Sequence, residues 1–171
     1  QLWMLNPDLS ANLILAGIWW NIKSVLFEEL IFRGAVFYIL IKKMGAPKAI
    51  LISSVAFGIY HWFSQEVFGN PAQMAITFLI TGTAGLLYAY GFAKTFSVYV
   101  PVAIHLGWNL TQSVIFSETV IGDQLFIPVK PVPDMAVSYV AYFCILLIPA
   151  GGMLLANYFI LKKKKQELPA A

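Results

Sequence analysis

Five long apolar runs, separated by short polar or charged connections, set the pattern of this chain. The first extends from about residue 11 to 41 and predicts a helix long for a single bilayer crossing, which takes about 20 helical residues. Its first turns, up to Lys23, then lie outside the hydrocarbon or line an aqueous cavity, with Lys23 snorkelling or at the surface. Ahead of it Asn6, Pro7, Asp8 and Ser10 form a polar entry suited to capping a helix. Lys42, Lys43, Gly45 and Pro47 make the turn into a second helix, about residues 48–63, followed by a polar loop over 64–71. The third helix, about 72–92, holds Gly82, Gly85 and Gly91 and no charge. Its small residues suit close packing, and no chemistry is assigned to it. After a connection at 94–97, a fourth helix begins near Pro101, a residue tolerated in a first turn, and runs to about 116. Residues 117–135 form the longest irregular stretch, a connector or a cover over the bundle opening. A fifth helix, about 136–161, contains Pro149 as a kink site and Gly151 and Gly152 as points of close contact, and lysines 162–165 end it.

Composition sharpens this into a fold class. With 60% hydrophobic and 11% charged residues over 171 positions and a mean hydropathy of +0.76, the chain reads as an all-α polytopic membrane bundle of about five transmembrane helices. It forms a single domain over 1–171: a motif-bearing core at about 11–117, a C-terminal helix at 136–161 and a basic tail at 162–171. Cys144 is the single cysteine; it forms no intrachain disulfide and reads as a small buried hydrophobe. The net charge of +3 comes largely from lysines in short connections and the tail, which bears on membrane topology and gives no reason to invoke nucleic acid. The chain opens on Gln1 with no basic segment leading into a short apolar stretch, so it reads as an excised core without a signal peptide.

Five spans put the two ends on opposite sides of a membrane. With the tail cytoplasmic, Lys42, Lys43, Lys48, Lys94 and lysines 162–165 all fall on the cytoplasmic side, and Lys130 falls on the other, as the positive-inside rule expects. The predicted location is therefore the cell membrane, multi-pass. Depth follows from counting. Glu28 is 14 residues before Lys42, His61 is 13 after Lys48 and His105 is 11 after Lys94. At 1.5 Å per residue these lie about 21, 20 and 17 Å from the inner edge, at one level beyond the midplane.

That level matters because of what occupies it. In the first run, Glu28, Glu29 and Arg33 interrupt an apolar sequence, and each charge at bilayer depth costs roughly 2.5 to 3.5 kcal/mol on insertion scales. Helical spacing sets Glu29 and Arg33 on one face to pair, while Glu28 lies about 100° away and needs a partner elsewhere. The chain's only two histidines are His61 in the second helix and His105 in the fourth, the latter one turn before Asn109. Taken singly, a histidine or asparagine can simply hydrogen-bond a neighbouring helix, and a Glu–Arg pair can be structural. Agreement in depth across three helices favours a joint site. Ser53 and Ser54 lie two turns from His61 and Cys144 has no acid or histidine nearby in its helix, so no nucleophile triad is evident. A carboxylate and a histidine together can act as general base on water, and a second histidine with an amide one turn away can donate to the oxygen that turns negative when water adds to a carbonyl. That set suffices to hydrolyse a peptide bond.

Glu28-Glu29-x-x-x-Arg33, Phe57-x-x-x-His61 and His105-x-x-x-Asn109 resemble, in order, the three motifs of the CPBP intramembrane proteases, which include type II CAAX prenyl endopeptidases and Abi-like bacterial proteins of bacteriocin processing and self-immunity. The resemblance covers about residues 20–115, and no motif position is substituted. It implies a glutamate-dependent intramembrane endopeptidase: Glu28 as general base on water with His61, His105 and Asn109 as the oxyanion site, Arg33 holding Glu29, and Phe57 packed under the site. It implies a peptide or lipid-modified protein as substrate, with membrane lipid around the chain. Two histidines and a glutamate could bind zinc, but asparagine is a poor zinc ligand and the HExxH ligand pair is absent, which favours a mechanism without cofactor or metal. The competing reading is a non-enzymatic immunity or scaffold protein that binds a peptide, or a proton or ion pathway. Oligomeric state and substrate identity are not encoded.

Overall fold

The computed structural model describes residues 3–116, 125–129 and 138–163. Within them the chain forms helices α1 (Ala11–Arg33), α2 (Ala35–Met44), α3 (Ala46–Ser64), α4 (Pro71–Thr95), α5 (Tyr99–Leu110) and α6 (Tyr139–Lys162), with a π-helical turn, Thr111–Ile115, continuing α5. The all-α class therefore holds. Most of the 117–135 stretch, Lys130, and lysines 164 and 165 with the rest of the tail lie outside the described residues.

The long first helix expected over 11–41 is broken. α1 ends at Arg33 and α2 starts at Ala35 because Gly34 takes φ −82°, ψ −148°, a conformation in which any Cβ would collide with the Leu30 carbonyl oxygen. Apolar periodicity runs straight through position 34, so only the glycine itself marks the break. A second departure is the antiparallel ribbon of β1 (Trp3–Leu5) and β2 (Phe126–Pro128), with Met4 opposite Ile127. The second strand falls in the stretch read as irregular, and the first lies just ahead of the polar entry to α1.

α3 and α4 form the most extensive packing in the bundle. Small residues let their backbones approach: a Cβ on Gly58 would stand 3.4 Å from the Gly82 Cα and closer still to the Phe78 ring, the close-contact use of glycine expected for this helix. At one end, Phe37 and Ile41 of α2, Ala49 of α3, and Ala89, Phe92 and Ala93 of α4 make an apolar core. This core also shows that Lys42, Lys48 and Lys94, which flank it in sequence, gather at that end.

Burial is inverted relative to a water-soluble protein, in which Glu and Arg are almost never fully buried. Glu29 and Arg33 are 0% exposed, while Leu15, Phe27, Leu30, Leu51 and Leu79 are each about 60% exposed. Lys23 is on the surface, near the rings of Trp19 and Trp20. Among the described residues α4 is the one helix whose length and apolarity meet a simple criterion for a bilayer crossing. α1 falls short because its buried charges lower its hydropathy, and α2 and α5 are short. The expectation of about five such crossings is thus narrower in the structure than in the sequence.

Candidate active site

α1 delivers three ionisable groups from consecutive turns. Glu29 Oε1 accepts from Arg33 Nη1 at 3.3 Å, the i,i+4 pair that the spacing predicted. Arg33 Nη2 donates to the Gly85 carbonyl at 3.0 Å, and its guanidinium carbon stands 4.3 Å from the Phe57 ring centroid and 5.3 Å from that of Tyr88. The same Glu29 oxygen lies 2.8 Å from His105 Nδ1, a contact that spacing within α1 could not reveal. One carboxylate thus ties α1 to α5, and Arg33 ties it to α4.

Glu28 turns away from that pair. Its Oε1 accepts from Ser24 Oγ at 3.4 Å, and its Oε2 lies 3.8 Å from His61 Nε2 and 3.8 Å from His105 Nε2. These separations exceed hydrogen-bond length, yet one water can stand about 2.8 Å from both an oxygen and a nitrogen so spaced. Glu28 Oε2 is buried and makes no hydrogen bond to the protein.

The tautomers follow from the partners. His61 Nδ1 is 2.8 Å from the Phe57 carbonyl oxygen, which can only accept, so Nδ1 carries the hydrogen and Nε2 faces Glu28. His105 Nδ1 faces a Glu29 oxygen that already accepts from Arg33, so the hydrogen again sits on Nδ1. Both rings therefore present Nε2 to the same carboxylate oxygen, each oriented by an acceptor behind it.

Packing fixes the rings. Tyr88 stacks on His105 with centroids 4.7 Å apart and planes at 18°; Phe57 meets His61 at 4.4 Å and His105 at 5.9 Å, in the place under the site expected for it. Ser53 and Ser54, set aside as nucleophiles, donate to the carbonyls of Phe32 and Ile50. Asn109 lies one turn beyond His105, near the end of α5 and two residues before the π turn. Its carbonyl accepts from Ser113 Oγ at 2.6 Å, and that oxygen accepts from buried Asn21 at 2.8 Å. Glu28, His61, His105 and Asn109 all line one cavity of about 510 Å³. All six side chains singled out in the sequence are thus within one cluster, four facing the cavity and Glu29 with Arg33 behind.

Sequence reasoning missed Tyr88, Gly85, Ser24 and Asn21. For α4 a signal existed: Gly82, Gly85 and Tyr88 recur at three-residue spacing on one face, which is also the face that meets α3. Gly85 is required for space. A Cβ there would sit 3.1 Å from Phe57 Cδ1 and 3.2 Å from Arg33 Nη2, both buried and held. Gly85→Ala is expected to lower stability by about 1 kcal/mol net, overpacking outweighing the gain in helix propensity, and to reduce activity by displacing Arg33. Gly107, where a Cβ would meet nothing within 4 Å, supplies the control: Gly107→Ala should melt at or above the wild-type temperature in the same detergent.

With this geometry stand the comparisons with known proteins. The model of the family described as Type II CAAX prenyl endopeptidase Rce1-like matches residues 10–111. No curated protein and no solved structure is matched.

Proposed function

The chain belongs to the Rce1-like family of type II CAAX prenyl endopeptidases, and from that premise we propose that it hydrolyses a peptide bond within the membrane by water activated on Glu28 and His61. The observation that carries this reading is Glu28 Oε2 standing 3.8 Å from two imidazole Nε2 atoms on the wall of a cavity large enough for an extended peptide segment.

In the proposed reaction, water bound to Glu28 and His61 gives its proton to the Glu28 carboxylate as its oxygen adds to the scissile carbonyl. Asn109 and His105 donate to the resulting oxyanion. His105 does so from Nε2 when the ring carries a second proton, a charge that Glu29 is positioned to balance. Glu28 then hands its proton to the departing nitrogen as the C–N bond breaks. Arg33 keeps Glu29 ionised next to Glu28, so that the same carboxylate oxygen can orient His105 through Nδ1.

The environment supports a multi-span bundle with these groups at its interior: charges are inside and large apolar side chains outside, the arrangement that a hydrocarbon solvent imposes. The lysine distribution supports the cytoplasmic assignment of the C-terminal tail. For the substrate we propose a peptide or lipid-modified protein segment at the bilayer, in keeping with the prenyl-protein chemistry in the family's name.

We further propose that no metal takes part. Among the described residues no group of three or more His, Cys, Asp and Glu has the arrangement of a metal site. The 3.8 Å between Glu28 Oε2 and each Nε2 is wide for tetrahedral zinc, whose ligands at about 2.0 to 2.1 Å stand about 3.3 Å apart.

The test is cleavage of a panel of prenylated and unprenylated peptides by the purified protein, followed by mass spectrometry. New products are expected from at least one peptide, undiminished by exhaustive chelation. Loss of activity together with stoichiometric zinc would overturn the metal-free mechanism; absence of cleavage across the panel, with a Glu28→Gln variant retaining the full biological effect, would replace the enzyme by a binding protein.

A further inference from the structure

On the opposite side of α4 from the catalytic cavity, α3, α4 and α6 enclose a second recess of about 320 Å³, lined by Ile50, Thr83, Leu87, Tyr90, Leu154 and Tyr158 among others. Its wall is apolar almost throughout. Even the Thr83 hydroxyl is spent on the Leu79 carbonyl, which leaves its methyl for the groove. Leu87 is 5% exposed and Leu155 59%, so the recess has a buried floor and an open flank.

Its chemistry changes at one end. Tyr90 and Tyr158 face each other with ring centroids 5.6 Å apart. Four residues beyond each, on the same helical face, stand Lys94 and Lys162. Lys94 Nζ is 5.7 Å from the Tyr90 centroid, and Leu161 packs beside Gly91, so α4 and α6 finish together. This is also the end at which Lys42 and Lys48 gather around the apolar core. From Thr83 to Tyr90, the span of α4 that lines the recess, is 7 residues, or about 10 Å of helix, and the ammonium of Lys94 lies one turn further on.

An open-flanked apolar slot that takes the upper part of an acyl chain, bounded at one end by two tyrosines with a lysine one helical turn beyond each, is complementary to one class of molecule. We infer that this groove is a specific site for an anionic phospholipid, its phosphate at Lys94 and Lys162 and one acyl chain along Leu87 and Leu155. A zwitterionic lipid presents the same chain but adds a cation where two already stand. The lipid bridges α4, which carries Gly85 and Tyr88 on its other face, to α6. The inference rests on the family's residence in membranes and is independent of the hydrolytic reading.

The experiment reads mass and needs no proteolysis. The full chain carrying Glu28→Gln is purified in mild detergent, incubated with phosphatidylglycerol or phosphatidylcholine of identical chains, and ionised intact. One phosphatidylglycerol is expected to survive activation that strips phosphatidylcholine. Lys94→Gln with Lys162→Gln should lower its retention roughly tenfold or more without shifting the melting temperature, and Leu155→Trp, which fills the slot, should abolish retention of phosphatidylglycerol. Equal retention of the two lipids, or wild-type retention by the variants, would overturn the site. Displacement of the lipid one for one by a prenylated peptide would overturn it too, by giving the groove to the substrate.

Discussion

Glu28→Gln is expected to lower the rate of peptide hydrolysis by about a thousandfold or more while leaving the protein folded. Glutamine has the shape of glutamate and can still accept from Ser24, whose Oγ is 3.4 Å from the carboxylate. What it loses is the ability to take a proton from water and return it to the leaving nitrogen. The substitution also removes a buried charge with no ion pair of its own within hydrogen-bond distance, so melting in detergent should be unchanged or higher. His61→Ala tests the other half of the proposed base. It removes the Nε2 that shares the water and should cost about 10²-fold or more, with some loss of packing against Phe57. Turnover within tenfold of wild type in Glu28→Gln would sink the proposed chemistry, because no other carboxylate faces the cavity among the described residues.

The second large effect is on stability. Arg33→Ala should destabilise the bundle by about 3 to 5 kcal/mol, the usual consequence of stranding one partner of a fully buried ion pair. Glu29 is 0% exposed and would keep only its contact with His105 among the described residues, while the Gly85 carbonyl would lose its side-chain donor. The cation lost from between Phe57 and Tyr88 would also leave a cavity. Arg33→Lys keeps the charge but cannot reach Glu29 and Gly85 with one fork, so an intermediate melting temperature is expected. Combining Arg33→Met with Glu29→Gln separates the two roles: removing both charges should restore most of the stability but not the activity, since His105 would no longer have a charged carboxylate behind it. Thermal unfolding in detergent reads the first outcome and peptide cleavage the second. If Arg33→Ala melts with the wild type, the pair is not an interior one.

How much of this was legible beforehand depends on whether a feature lies along one helix or between helices. The Glu29–Arg33 pair was readable because its spacing is four. The meeting of Glu28 with His61 and His105 was readable in outline, because residues at equal depth in adjacent spans have the chance to touch. That His105 would turn its Nδ1 to Glu29 was not, since the rotation of α5 about its axis decides it. Gly85 and Tyr88 went unassigned because a helix without charge offers no residue that announces chemistry, although its carbonyl and its ring hold Arg33 and His105. The hydrophobic pattern carries the long helix straight through Gly34 because that pattern records environment, and the environment is the same on both sides of the break. The ribbon joining residues 3–5 to 126–128 pairs strands more than a hundred positions apart and leaves no local trace.

By itself the sequence determined the composition of the interior. An apolar chain has few polar groups to spend, and those at one level in different helices have little choice but to meet, because hydrocarbon outside them offers no hydrogen bonds. The tertiary structure alone decided which atom faces which: Oε2 of Glu28 toward two Nε2 atoms, and Oε1 of Glu29 shared between Arg33 and His105. Those choices depend on helix rotation and crossing, which are set by how glycines, rings and a serine-bonded π turn pack, and packing is a property of pairs of elements that no single stretch of sequence contains.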